Sequence, residues 1–368
     1  MPRILLPLIF SLLLASCVST QRFSNTQLVE TTPLKHQKAT GQCWSFASTS
    51  LLEAEAIRLG YPIPELSSFF FVYHKYLDQS RYYLQNQGDA YIGFGDLTFS
   101  VLEELETYGA VPESVYDGKL SGVTRHRQMM DRWAEEDEMN ALIVRSLDSL
   151  IRIEAPMEDA LGFIEGILDE YIGAAPESFE YQGETIDPQT FARKHLPLDA
   201  AEYVELTSYT HHPLYENIVL EIPANWRKKS YWNLPINEWM ETIDYALDNG
   251  FSLAWDGCIR NSGGFRDNGY VKVKGEYEEL PQIAQEQRQS AFERKTTTDD
   301  HNMHLVGYTF DRDGQKFYIL KNTWGENRGL DGHWYLSENY FRLRTVSVTL
   351  HQDGIPSHIK SPRVARAD

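Results

Sequence analysis

Helix-type and strand-type patterns occupy different parts of this chain, and that segregation limits the folds open to it. Over residues 43–59 the apolar side chains of Trp44, Ala47, Leu51 and Ala54 recur at helical spacing, and Gly60 supplies a stop. Helices are expected again over 65–84, over 97–108 ahead of Gly109, through 121–173, and over 235–249 ahead of Gly250. The pattern then changes. Residues 252–255 read as a short strand, and 303–310 and 316–320 are β-prone runs joined by Asp311-Arg312-Asp313-Gly314-Gln315, a hairpin connection. Helices first and strands later predict an α+β fold with a helical half and an antiparallel sheet half, not alternating βαβ units. No internal repeat and no glycine-rich phosphate loop interrupts this order.

The chain has 368 residues, enough to bury a large core as one domain or two. With 42% apolar residues it reads as a globular body, and its net charge of −19 disfavours nucleic acid, whose phosphates need a concentrated basic surface. The first 16 residues set Arg3 before an apolar run over 4–15, too short for a bilayer span of ~20 residues. That run ends Leu14-Ala15-Ser16-Cys17, which resembles the bacterial lipoprotein box. The resemblance implies removal of 1–16, lipid on Cys17 and an exported, membrane-anchored protein on a periplasmic or cell-surface face. An ordinary secretory signal with an incidental Cys17 is the alternative. The polar residues 17–31 then read as a tether, and 32–368 as the body with a helical insertion over about 121–200. No later segment is long and apolar enough to span. The acidic run Glu135-Glu136-Asp137-Glu138 reads as a solvated helix face.

Cysteines at 17, 43 and 258 cannot form a disulfide framework and offer no ligand cluster, and the neighbours His211 and His212 are poorly placed to share one ion. No metal or cofactor is expected. Cys43 stands apart because it opens a helix. A thiol with a pKa near ~8.5 is mostly protonated at neutral pH, and the unpaired N–H groups and dipole of a helix N-terminus favour its thiolate. A histidine can accept the thiol proton and return it to a leaving amine. From position alone, a buried structural cysteine remains equally open.

The surrounding string is more specific. Gln37-Lys38-Ala39-Thr40-Gly41-Gln42-Cys43-Trp44-Ser45-Phe46-Ala47 resembles the active-site stretch of papain-like cysteine peptidases, most closely the bleomycin hydrolase and aminopeptidase C branch. Asp300-His301-Asn302-Met303-His304 and Leu320-Lys321-Asn322-Thr323-Trp324-Gly325 resemble that branch's histidine and asparagine strands, with Thr323 in place of serine. Pairing across the hairpin puts Asn322 opposite about position 303, within reach of either His301 or His304. The resemblance selects His301. It implies Cys43 as nucleophile, His301 as base, Asn322 as the group orienting the imidazole, Gln37 and the Cys43 N–H as oxyanion donors, and Trp324 as a cover over the His–Asn bond. It implies a papain-like fold and a structural Cys258. The segments Glu65-Leu66-Ser67, Tyr108-Gly109-Ala110-Val111-Pro112, Leu196-Pro197-Leu198-Asp199 and Trp255-Asp256-Gly257-Cys258 extend the likeness in the same order.

Departures from the branch bear on function. Gly95-Asp96 stands where the branch has a Gly-Gly pair in its substrate groove, which predicts an acid there. The tail 355–368 does not resemble the C-terminal arm that favours aminopeptidase action, and the stretch between Cys17 and Cys43 is too short for an inhibitory propeptide. The expected activity is thiol-dependent peptide hydrolysis through a Cys-His-Asn triad and an acyl-enzyme, with aminopeptidase action as its narrower form. The alternatives are a lipid-anchored peptide-binding protein on a peptidase fold and an acyl or amide transferase using the same thioester. Expected partners are a peptide substrate, a membrane through the N-terminal lipid only, and further copies of the chain in a homo-oligomer.

Overall fold

The computed structural model describes residues 23–38, 40–61, 63–118, 129–260 and 269–359, so the signal segment and Cys17 lie outside the described residues. The helical half opens with α1 (Cys43–Arg58), α2 (Ser68–Gln85) and α3 (Thr98–Thr107). Ser67 fixes the start of α2, its Oγ accepting from Phe70 N at 3.1 Å. The expected helical stretch over 121–173 is two helices, α4 (Met129–Arg152) and α5 (Met157–Tyr171), separated where Glu154 takes φ 53°. A hairpin of β2 (Phe179–Tyr181) and β3 (Glu184–Ile186) and then α6 (Pro188–His195) follow. The insertion is thus not helical throughout. Both α4 and α5 pack on α2, and a shared core runs through Trp44, Leu52, Phe71, Tyr76, Ile143 and Leu168.

The sheet half contains β4 (Tyr203–Thr207), β5 (Asn217–Val219), β6 (Ser230–Asn233), α7 (Ile236–Asp248), β7 (Leu253–Gly257), β8 (Tyr270–Val271), α8 (Gln285–Glu293), β9 (His301–Phe310), β10 (Lys316–Lys321), β11 (His333–Ser337), α9 (Glu338–Arg344) and β12 (Thr345–His351). The strands join in the order β5-β6-β4-β12-β7-β9-β10-β11-β8. Trp239, Trp255, Met303, Leu305, Leu320 and Phe341 form the core on one face of the sheet, while α1 packs against β9 and β7.

A correction falls on the N-terminal tether: Ser24–Leu28 is a strand, β1, paired antiparallel with β9. On one edge of β9, β7 covers 301–305 and β1 covers 307–310, so polar residues gain ladder bonds that their composition does not announce. Gly307 permits the approach, since a Cβ there would lie 2.1 Å from Gln27 O. The β9–β10 hairpin has the expected turn. Its register shifts by one residue, from Ile319 opposite Gly307 to Leu320 opposite Leu305, which sets Lys321 opposite His304. Among the described residues no helix is long and apolar enough to cross a membrane.

Candidate active site

Cys43 is the first residue of α1, and the N-cap residue Gln42 makes no side-chain cap bond to the first-turn N–H groups beside the thiol. Trp44 anchors that end of the helix. Its indole N–H lies 3.0 Å from both Gln42 Oε1 and Phe94 O, and the buried Lys75 ammonium donates to Gly93 O at 2.5 Å. The turn that carries Cys43 is therefore tied to residues 93–94. A second tie comes from the insertion and corrects the expectation of a solvated acidic face. Glu136 is buried, its Oε2 accepting from Gly41 N at 2.7 Å and its Oε1 from the Gln42 amide. Burial raises its pKa, while its bonds from the Gln42 amide and Gly41 N–H oppose that shift.

His301 is the first residue of β9, and its Nε2 lies 2.8 Å from Asn322 Oδ1. The same oxygen accepts from Thr323 N at 2.8 Å, which requires the amide oxygen, not its nitrogen, to face that way. His301 Nε2 must then be the protonated nitrogen, and the lone pair resides on Nδ1. Trp324 lies over this pair with ring centroids 4.7 Å apart. His304, the other candidate within reach, faces α1 instead, where its Nδ1 lies 2.9 Å from Ser50 Oγ. Of the two histidines, only His301 is bonded to Asn322.

Gln37 is buried beneath the same loop. Its Nε2 donates to Thr40 O at 2.5 Å, leaving one N–H on the amide, and its Oε1 accepts from the Thr323 hydroxyl. Its backbone N–H bonds Thr323 O at 2.8 Å, so the oxyanion candidate and the asparagine strand are held as one unit.

Two polar residues beside the thiol were not singled out from sequence. Asn302 Oδ1 lies 3.9 Å from Cys43 Sγ, and Asn302 Nδ2 donates to Asp256 Oδ1 at 3.3 Å. Burial pushes the Cys43 thiol up to about 12, and the charges of Asp256 and Asp300 push the same way. Burial also drives His301 down to about 4, against the Asn322 bond and Asp300, which both favour imidazolium. Both shifts favour the uncharged forms, a thiol and an imidazole. A proton passed from Sγ to the ring would leave net charge unchanged and so avoid the cost of burying one isolated charge.

Asp96 does not bring charge into the groove as expected. It is buried, with Oδ1 accepting from Ser100 Oγ at 2.6 Å and Oδ2 from the Trp226 indole at 2.9 Å, and burial raises its pKa. Cys258 is buried with its thiol 3.7 Å from Thr296 O. His211 and His212 do converge, contrary to expectation, with ligand atoms of both rings and Glu221 within 4.8 Å of one another. Gln289 turns its amide nitrogen to His211 Nδ1 at 3.0 Å while its oxygen accepts from Thr210 N, so His211 Nε2 carries the proton toward Glu221. That tautomer makes a hydrogen-bonded cluster rather than an open ligand set.

The thiol at the N-terminus of α1 lies 3.9 Å from Asn302, the neighbour of His301 in the His–Asn pair on the antiparallel sheet, an arrangement suited to an α+β thiol hydrolase. A family model described as the Peptidase C1-like family matches residues 95–364. Aminopeptidase C of Lactobacillus delbrueckii subsp. lactis is 22% identical over 372 residues, covering 90% of this chain and 82% of that protein. Mitochondrial cysteine proteinase 1 of Saccharomyces cerevisiae (strain JAY291) is 20% identical, covering 92% and 78%. The crystal structure of PepW from Lactobacillus rhamnosis HN001 superposes with a TM-score of 0.73 at 19% identity, covering 91% of this chain and 83% of that one, which shows the papain-like fold. The chain belongs to the Peptidase C1-like family and is a cysteine-type peptidase, a hydrolase. The matched segment contains His301 and Asn322; Cys43 and Gln37 precede it.

Proposed function

We propose that the protein hydrolyses peptide bonds by acyl transfer to Cys43, with His301 as base and Asn322 as the residue that orients it. The observation carrying this reading is the double acceptance at Asn322 Oδ1, which leaves His301 Nδ1 as the basic nitrogen. Nδ1 takes the Sγ proton as sulfur attacks the carbonyl carbon. The oxyanion is met by the Cys43 N–H and the remaining Gln37 amide N–H, each such donor supporting ~3 kcal/mol of transition-state stabilisation. The imidazolium returns its proton to the departing amine, and water then attacks the thioester by the same relay.

Relatives named aminopeptidases support a preference for free N-termini. The lipoprotein-like segment supports a mature protein anchored through Cys17 on a membrane face. A protein beginning at Val18 is expected to cleave fluorogenic aminoacyl or peptidyl amides under reducing conditions, and Cys43→Ala to lose that activity completely. Failure of the wild type to react with a thiol-directed peptidase inhibitor would sink this reading. Cleavage of blocked peptides at internal bonds would remove the aminopeptidase part alone. Lipidation is checked by labelled fatty-acid incorporation that disappears in Cys17→Ser.

A further inference from the structure

Behind the thiol, the sheet carries a row of polar side chains that the hydrolytic steps do not use. Asp256 lies opposite Asn302 on β9 and Ser347 on β12, and Thr349 of β12 lies opposite Glu205 on β4. Alternate residues of a strand share a face, so Asn302, Asp256, Ser347, Thr349 and Glu205 all project to one side. Ala254, on that same side of β7, packs into the helical core, which identifies it as the face that α1 covers. The row begins at the nucleophile, with Asn302 Oδ1 3.9 Å from Sγ, and leads away from it under the helical half.

Unmet hydrogen-bonding capacity collects along this row. Asp256 is 5% exposed, yet its Oδ2 has no partner among the described residues. Glu205 Oε1 is likewise unpartnered, and so is the hydroxyl of the fully buried Tyr231, which feels the charges of both Glu205 and Asp256. The charges that weigh most on Asp256 belong to Asp299, Asp300 and Glu205, all acidic. A buried carboxyl group among acids needs either a proton or a cation, because burying it charged and alone is strongly unfavourable. In front of it, the Asn302 side chain holds, among the described residues, Asp256 and the thiol at 3.3 and 3.9 Å, contacts weak enough to be exchanged for a ligand.

We infer that Asp256, with Asn302 in front of it and the row leading on to Glu205 behind it, forms a subsite for a cationic group of the substrate, an ammonium or guanidinium, next to the bond that Cys43 attacks. The inference rests on the peptidase reading of Cys43. The cation replaces the missing partner of Asp256 Oδ2, and Asn302 turns its Oδ1 from the thiol to the incoming N–H groups. Two sources share this chemistry: the α-ammonium of a free N-terminus and the side chain of Lys or Arg.

The test compares peptide amides with free or acetylated N-termini, each with Lys or Leu beside the scissile bond, on wild type and Asp256→Asn. The substitution keeps the side-chain shape and the acceptor for Asn302 Nδ2. The ratio of kcat/KM for cationic over uncharged substrates is expected to fall at least tenfold, chiefly through KM. A fall confined to free N-termini identifies the α-ammonium, and one confined to Lys the side chain. An unchanged ratio overturns the subsite. Should Asp256→Asn fail to fold, wild type still decides the matter. Leucinamide and lysinamide are expected to protect Cys43 from iodoacetamide at tenfold or more lower concentration than acetyl-leucinamide, and equal protection refutes the inference. Cation-selective protection without cleavage of any peptide would instead remove the peptidase reading and leave the subsite standing.

Discussion

Glu136→Gln tests whether the insertion controls the nucleophile's turn. The carboxylate accepts from two donors one residue apart, Gly41 N and the Gln42 amide, with oxygens on both arms engaged. A glutamine presents one oxygen and one NH2, so one donor must face another donor. A lost bond to a charged acceptor costs ~1.5–3 kcal/mol, and part of that is returned because a buried carboxylate no longer has to be desolvated. The net expectation is a loss of about 1–2 kcal/mol. That turn precedes the Cys43 N–H, whose direction matters only when negative charge forms on the substrate oxygen, so the loss should fall on kcat rather than KM. A 1–2 kcal/mol effect corresponds to a roughly 5- to 30-fold drop in kcat. The assay is steady-state hydrolysis of a fluorogenic amide, with thermal unfolding measured on the same preparations. The exposed neighbour serves as control, and Asp137→Asn should change neither quantity by more than a factor of two. A Glu136→Gln protein with wild-type kcat and wild-type melting temperature would refute the tie. A drop in melting temperature with kcat preserved would restrict Glu136 to holding the insertion in place.

Two further substitutions probe the sheet. Burial raises Glu205 to about 7, against an ordinary carboxylate value near 4.5. A raised folded-state value means that the folded protein binds the extra proton between those two pH values, so stability falls as pH rises from about 4.5 through 7. Glu205→Gln should therefore stabilise by about 2 kcal/mol at pH 8, after discounting for partial exposure, and by little at pH 4.5; equal effects at both would refute it. Gly307→Ala drives a methyl into Gln27 O and should release β1, costing about 1–3 kcal/mol in denaturant melts and exposing residues 23–29 to proteolysis. Because β7 still pairs 301–305, kcat should persist, and loss of activity without N-terminal cleavage would contradict the assignment of β1 to the far end of β9.

The elements legible in the sequence were those whose signal is local. Trp44, Ala47, Leu51 and Ala54 announce α1, Gly250 closes α7, and Asp313-Gly314 marks the β9–β10 turn. What escaped depends on partners distant in the chain. The β1 sequence SNTQL has no alternation to advertise a strand and acquires one only because β7 leaves part of an edge of β9 unpaired. Glu136 precedes the exposed Asp137 and Glu138, and nothing in the run distinguishes the one whose neighbours lie 95 residues earlier. Asp96 was misjudged for the same reason, since Trp226 supplies the indole that draws it inward. The choice between His301 and His304 could not be made from spacing because Asn322 falls opposite about position 303, between them, and the two histidines, three residues apart, project to opposite faces, of which the sequence does not say which one Asn322 shares.

These distant partners share a direction. Glu136, Asp96 and Asp256 are all buried and all raised by desolvation, and the charge of Asp256, with that of Asp300, opposes ionisation of the thiol. Lys75 spends its ammonium on residues 93–94. Burial and the charges of Asp256 and Asp300 favour the protonated thiol, so its ionisation would be conditional on what enters the cleft. A cation seated at Asp256 would cancel the acidic field acting on Sγ and so lower the thiol's pKa as it binds, coupling substrate charge to nucleophile strength. On this account cationic peptides raise kcat as well as lower KM in wild type, and Cys43 alkylates faster in the presence of a small, non-occluding amine such as methylammonium. An alkylation rate indifferent to methylammonium would separate the two effects and leave Asp256 a determinant of binding alone.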